Sequence, residues 1–229
     1  MDAPDSAPAA ALLSRLQALC PMRCQELSFP GQTLELWTAC DVDPLLEALA
    51  AKPADDPDVL DERMPYWAEL WPSSLLLARH LFHSESLPAG PWIELGCGPG
   101  LAGLAVSLRG IPGLWTDYMP EALLLAELNA RHNHCPSSAT LLLDWRAPPA
   151  DLSASWILAA DVAYETRLFE PLLHCFNRLL APGGEIWFGE PGRPIARPFF
   201  DQLSAAGWQR ETLCIEDGRH LYRLRRPSS

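Results

Sequence analysis

The stretch Trp92–Ala102, Trp-Ile-Glu-Leu-Gly-Cys-Gly-Pro-Gly-Leu-Ala, constrains this chain more than any other. A short apolar strand carries an acid, Glu94, towards its carboxyl end and then breaks into Gly96-Cys97-Gly98-Pro99-Gly100. Helical spacing follows at once. Glycine lets the backbone turn this tightly and approach a ligand with no Cβ in the way. The unpaired N–H groups of the helix start then face that ligand. Strand, glycine turn and helix in that order belong to an α/β protein.

The punctuation on either side agrees. Helical spacing predicts helices over 10–19, 43–50, 73–82, 100–108, 120–131, 168–180 and 196–206, several opened by Ser, Asp or Pro. Strands are expected at 92–95, 113–117, 140–143, 156–160 and 185–189, with a closing pair at 208–215 and 220–224 around Glu216-Asp217-Gly218. A further small hairpin is expected within 26–40, around the Pro30-Gly31-Gln32 turn. Strands alternating with helices imply a parallel sheet with right-handed crossovers. The final pair, on a short turn, must be antiparallel.

Residues 1–63 read as an N-terminal extension: an Ala/Pro/Asp-rich start expected to be disordered, short helices, the hairpin and a Pro/Asp linker from Lys52. The main domain is expected over 64–229. A chain of 229 residues can bury a full core. No apolar run approaches the roughly 20 residues of a membrane span. The acidic start, Met1-Asp2-Ala3-Pro4-Asp5, lacks the basic opening of a signal peptide. Seven scattered cysteines without a Cys-x-x-Cys indicate a reduced, cytoplasmic protein. A net charge of −12 argues against a nucleic-acid partner and fits a basic target, although solubility alone also explains it.

In such a sheet, ligands bind outside the carboxyl ends of the strands. Four strands end on or near acids there: Glu94, Asp117, Asp144 and Asp161. The glycine loop itself is ambiguous, because Gly98-Pro99-Gly100-Leu101-Ala102-Gly103 also satisfies the G-x-G-x-x-G dinucleotide pattern, with Asp117 as its ribose acid. Two features point elsewhere. The turn starts earlier, at Gly96, with Glu94 two residues before it; a carboxylate there repels a pyrophosphate and attracts a cation. The second is Asp144-Trp145, an acid able to accept from an adenine amino group beside a ring able to pack on the purine.

These residues resemble the S-adenosylmethionine (SAM) site of class I, seven-stranded methyltransferases. More narrowly, Pro65-Tyr66-Trp67-Ala68-Glu69-Leu70-Trp71-Pro72 and Asp161-Val162-Ala163-Tyr164-Glu165 are similar to the seven-stranded protein-lysine methyltransferases. Gly189-Glu190-Pro191-Gly192-Arg193-Pro194 resembles the branch that methylates the electron-transfer-flavoprotein β-subunit, which has Asp where this chain has Glu190. The resemblance runs from about Met64 to the C-terminus. It implies a Rossmann-like, seven-stranded, mostly parallel sheet with an antiparallel C-terminal strand and helices on both faces.

It also implies roles. Gly96, Gly98 and Gly100 would let the loop approach the methionine and ribose part of SAM, with Glu94 near the amino end. Asp117 would accept both ribose hydroxyls, and Asp144 the adenine amino group with Trp145 alongside. Trp71 would wall the methionine side, although core packing under the sheet remains the alternative. Asp161, Tyr164 and Glu165 are the candidates for holding a lysine ammonium and favouring its loss of a proton, with helix capping as the alternative for Asp161. Arg193 either borders the substrate or pairs with Glu190.

Other residues are declined. His132-x-His134-Cys135 reads as a helix-end turn rather than a metal cluster, since no second cluster stands at ligand spacing. His80 and His83 read as exposed helix positions. Arg219, Arg223, Arg225 and Arg226 read as a solvated face. The activity expected is SAM-dependent methylation of a protein lysine. A small-molecule N-methyltransferase and a catalytically silent SAM-binding partner stay open. An NAD(P)-linked reductase would want a Tyr-x-x-x-Lys pair, and the chain's one lysine, Lys52, lies in the linker.

Overall fold

The computed structural model describes residues 8–135 and 139–226. The disordered start expected for 1–10 falls mostly outside them, and Ala9 and Ala10 already belong to a helix. In chain order the elements are α1 (Ala9–Gln17), β1 (Met22–Phe29), β2 (Gln32–Ala39), α2 (Asp43–Ala50), α3 (Pro57–Leu60), α4 (Pro72–His83), β3 (Trp92–Leu95), α5 (Leu101–Ser107), β4 (Gly113–Asp117), α6 (Pro120–His132), β5 (Ala139–Leu142), β6 (Ala154–Ala160), α7 (Phe169–Leu179), β7 (Leu180–Glu190), α8 (Arg197–Ala205), β8 (Gln209–Glu216) and β9 (Arg219–Arg225).

Seven strands form one sheet in the order β5-β4-β3-β6-β7-β9-β8. Those from β5 to β7 run parallel, and β9 is antiparallel to both neighbours. The chain builds outward from β3 through β4 to β5, then returns to place β6 on the other side of β3. That reversal opens a crevice at the carboxyl ends of β3 and its neighbours. The β8–β9 turn, Asp217-Gly218, has φ of +50° and +77°, the left-handed pair that a two-residue hairpin favours.

Each central strand is buried on both faces, as a parallel sheet requires. On one face Trp92, Trp115, Trp156 and Trp187 pack with α4, α5 and part of α6. Trp92 meets Trp115, and Trp156 meets Trp187, edge to face at 4.9 Å in both pairs. On the other face Ile93, Leu95, Ile157 and Phe188 pack with α7 and α8. His80 of α4 is half-buried with its ring 5.2 Å from Trp187, so it is not the exposed position expected. The basic C-terminal strand is largely engaged within the sheet edge: Arg223 with Glu211, Arg225 with Glu185 and Arg219 with Asp217.

The hairpin begins at Met22, four residues earlier than expected, and pairs β1 with β2 over its whole length. It does not stand alone. The outer backbone edge of β2 is covered by two asparagines one turn apart, Asn129 on α6 and Asn133 capping its end. Asn133 accepts from Glu35 N–H (3.1 Å) and donates to Glu35 C=O (2.8 Å), and Asn129 accepts from Trp37 N–H (2.7 Å). Asn129 also donates to Pro99 C=O in the glycine loop (2.9 Å). A satellite core of Leu12, Leu16, Ala39, Trp67, Leu125 and Leu128 completes the contact between the first segment and α6.

Candidate active site

The crevice is a cavity of about 390 Å³. Of the residues singled out from the sequence, Trp71, Glu94, Gly96, Gly98, Asp117, Asp144, Trp145, Asp161, Tyr164 and Glu165 all line it. Gly100 does not. It sits at the start of α5 with φ +79°, where a Cβ would come within 2.9 Å of both the Ala126 Cβ and the Trp115 Nε1. Its absent side chain lets the loop pack on the tryptophan layer, behind the cavity. Gly98 does face the cavity. Its φ of +48° and a Trp67 C=O only 3.3 Å from a would-be Cβ leave the position to glycine.

Two buried acids hold this loop from below. Glu94 Oε accepts the Gly103 N–H at 2.8 Å, and Asp117 accepts those of Gly98 (3.1 Å) and Met119 (3.0 Å). Burial pushes Glu94 up to about 8 and Asp117 up to about 6, against the opposing pull of those N–H groups. Each carboxylate oxygen has two lone pairs, so Asp117 keeps acceptor capacity for a diol.

Beyond β5, Asp144 is gripped through both oxygens by the Arg146 guanidinium at 2.9 Å. Burial opposes its ionisation, but the Arg146 hydrogen bonds outweigh it and hold the carboxyl below its ordinary value. The other edge of Arg146 clamps Asp61 at 2.7 and 2.8 Å. Asp61 also meets Arg63 and Arg167, and Arg167 reaches Glu165 at 2.6 Å. One acid of the linker thus ties the Asp144 end of the cavity to the Glu165 end. Trp145 lies beside Gly96, 3.4 Å from where a Cβ would stand.

The opposite end is aromatic. Trp71 is half-buried at the start of α4 rather than packed in the core, and its indole N–H donates to Tyr66 C=O at 2.8 Å. Tyr66 meets Trp71 and Tyr164 edge to face, at 5.7 and 5.2 Å. Burial pushes the Tyr164 phenol well above its ordinary value. Asp161 stands among these rings with φ +58°, an uncommon conformation for a residue other than glycine. One of its oxygens accepts the Ser73 N–H at 2.8 Å, so the helix it caps is α4 and not α7. Burial raises its carboxyl above the ordinary range.

The other Asp161 oxygen, buried and without a hydrogen bond, faces the Arg193 guanidinium at 3.4 Å. That guanidinium also lies over the Trp71 ring, 5.1 Å from its centre. Arg193 therefore borders the cavity. The alternative reading, a pair with Glu190, is not what the Arg193 side chain makes: Glu190 takes the backbone N–H groups of Gly192 and Arg193.

Asp61, Tyr66, Arg146 and Arg167 line the site and were not singled out from the sequence. Tyr66 lies within the Pro65–Pro72 segment, and Arg146 adjoins Trp145. Asp61 and Arg167 carried no local signal, since their importance lies in partners 85 to 106 residues away.

A model of the lysine methyltransferase family matches residues 63–205. The chain belongs to that family. Among curated relatives, it is 35% identical over 127 residues to the protein-lysine methyltransferase METTL21E of Bos taurus, covering 50% of this chain and 43% of that one. It is 30% identical over 138 residues to the electron transfer flavoprotein beta subunit lysine methyltransferase of Danio rerio, covering 56% and 51%. The matched segment thus spans about half the length of these relatives. A T. thermophilus 16S rRNA N2 G1207 methyltransferase, solved with AdoMet and guanosine, shares the fold: TM-score 0.61, 15% identity, 90% of this chain and 51% of that one.

Proposed function

We propose that this chain transfers a methyl group from SAM to the side-chain amine of a lysine in a protein. The observation that carries this reading is the pairing of the free, buried Asp161 oxygen with a cation held over an aromatic ring. Arg193 stands where a lysine ammonium would be recognised, between a carboxylate and the Trp71 face. Family membership and the lysine-specific relatives support the same acceptor.

The cofactor cradle fits an adenosyl sulfonium on grounds of its own. Gly98 leaves room for close backbone approach, Asp117 offers acceptors to a ribose diol, and Asp144 with Trp145 suits an adenine. Glu94 and Asp117 are buried acids paired to backbone N–H groups, an environment in which a cationic ligand favours their ionisation. When bound, SAM supplies an electrophilic methyl and a leaving group already activated. What the chain adds is alignment and an uncharged amine. A free lysine with pKa near about 10.4 is almost wholly protonated at neutral pH. Asp161 and Glu165 hold the incoming ammonium, Tyr66, Trp71 and Tyr164 enclose it, and the partial desolvation favours loss of its proton to solvent. The enclosed, uncharged amine would then be held in line for methylation, with Asp161 and Glu165 fixing its position.

A cytoplasmic setting accords with seven unpaired cysteines. Among the described residues no helix is long and apolar enough to cross a membrane. The flavoprotein β-subunit is a first target to try, given the relative that methylates it and the Gly189–Pro194 segment.

The test is methyl-labelled SAM with purified protein in a cell extract depleted of small molecules, beside a reaction with the small-molecule fraction. Label in one precipitable band, mapped to lysine by mass spectrometry, is expected. Label only in the soluble fraction would replace the reading with a small-molecule N-methyltransferase. SAM binding with no label in either, even at high enzyme, would indicate a silent module.

A further inference from the structure

At the C-terminal end of α6, away from the Met119 end that borders the cavity, the fold brings together three side chains that the sequence keeps far apart. Cys24 lies on β1, Glu35 on β2 and His132 on the last turn of α6. The His132 Nε2 is 3.0 Å from a Glu35 carboxylate oxygen and 4.0 Å from the Cys24 sulfur, and one donor atom from each of the three lies within 4.8 Å of the others. We propose that Cys24, Glu35 and His132 form a zinc-binding site that pins the N-terminal hairpin to α6.

The spacing fits the metal. Zinc takes sulfur at about 2.3 Å and nitrogen or oxygen at about 2.0 Å in tetrahedral array. Donor atoms in such a site stand roughly 3.3–3.6 Å apart, which follows from those bond lengths. The observed 4.0 Å and 3.0 Å each lie within about half an ångström of that range, and the Cys24–Glu35 pair, within 4.8 Å, closes by at most about 1.2 Å, which rotation of these long or exposed side chains supplies. Thiolate, imidazole and carboxylate together select zinc over magnesium or calcium, which want oxygen donors throughout. Three protein ligands leave the fourth position to water.

The backbone beneath is already locked. Asn133, next to His132, exchanges two hydrogen bonds with the Glu35 backbone, so the strand cannot slide past the helix turn. Trp37, opposite Cys24 in the ladder, sets its ring edge-on to His132 at 6.0 Å and limits how that imidazole can turn. Cys24 and Glu35 are exposed and His132 is half-buried, so an ion reaches the site without unfolding. The site is independent of the methyl-transfer reading. It is linked to the cavity through α6, whose Asn129 holds both Trp37 and Pro99, and through the hairpin's packing on Trp67.

The experiment is a Co²⁺ titration of the reduced full chain, followed by Zn²⁺ competition. One equivalent is expected to bind, with a thiolate-to-cobalt charge-transfer band that Zn²⁺ abolishes. Cys24→Ser is expected to remove the band. Glu35→Gln and His132→Gln are each expected to weaken binding at least tenfold, and Cys40→Ser and Cys135→Ser to change nothing. Zn²⁺ is also expected to raise the melting temperature of the unaltered chain and not of His132→Gln. Absence of the band, its survival in Cys24→Ser, or its loss in Cys135→Ser would overturn the proposal. Cys24 and Glu35 are exposed, so their substitution is expected to leave the fold intact, and circular dichroism checks this for every variant.

Discussion

The two ends of the cavity are held by different forces. At the glycine loop, buried acids are bound by backbone N–H groups, and both are pushed towards neutrality, Glu94 to about 8 and Asp117 to about 6. At the other end and along the rim, acids are bound by guanidinium groups: Asp161 by Arg193, Asp144 and Asp61 by Arg146, Glu165 by Arg167. Backbone donors cannot leave, so the loop end is set before any ligand arrives. Arginine side chains can swing away, and on the proposed reading a lysine ammonium would take the place of Arg193 at Asp161. On that reading the loop end would serve the constant ligand, and Arg193 would be the stand-in for a charged one.

The contrast breaks most sharply at Asp161. Asp161→Asn keeps an acceptor for Ser73 N–H but discards the charge that meets Arg193. Turnover is expected to fall about a hundredfold, in the range of positioned acid–base groups, while SAM affinity stays within about twofold. Stopped-flow or label incorporation read beside calorimetry tells these apart; equal losses in both would make Asp161 a structural residue.

On the loop side the expectation reverses. Asp117→Ala removes the acceptor of the Gly98 and Met119 N–H groups and, on the proposed reading, that of the ribose hydroxyls, so SAM binding is expected to weaken about tenfold or more. Unchanged calorimetric affinity would remove Asp117 from the cofactor site.

Proton linkage sharpens the same difference. Glu94 has a folded value near 8 against an ordinary 4.5, and Asp117 one near 6 against 3.8. The folded chain thus holds protons that the unfolded chain releases. Stability from this source is full below the unfolded values and is lost as pH rises through about 6 and then about 8. Urea midpoints from pH 5 to 8.5 should decline, and in Glu94→Gln they should decline less above pH 7. A slope unaltered by Glu94→Gln would place the titration elsewhere.

The smallest effect belongs to the rim. Asp61→Asn loosens Arg146 and Arg167 together, yet exposed ion pairs contribute little each. A rise in KM of about threefold is expected, shrinking at high salt as screening takes over. A salt-independent change would mean that Asp61 acts by shape.

The same division explains what is legible in the sequence. The strand ends, the glycine turn and the order of strands and helices follow from backbone rules that operate over a few residues. Helix α2 matched its Asp-Pro opening residue for residue. The identical Asp56-Pro57 signature opens α3 in what read as a bare linker, with Asp56 accepting the Asp58 N–H. The acids facing the cavity were legible because strand ends converge by construction. Arginine partners were not, since nothing within a few residues of Arg193 distinguishes Asp161 from Glu190. Likewise His132 was weighed with its neighbours His134 and Cys135, whereas its companions in space come from β1 and β2.

The asparagines on α6 and at its end bear on how the chain is made. Synthesis completes β2 long before Asn129 and Asn133 exist, since 92 residues separate Trp37 from Asn129. Through that interval the hairpin presents an open strand edge, the kind that recruits neighbouring chains. The glycine loop, whose Pro99 carbonyl waits for the same Asn129, is equally unfinished. Emergence of one helix therefore closes the aggregation-prone edge and completes the cofactor loop in a single event. A nascent chain stalled before α6 would be both sticky and unable to bind.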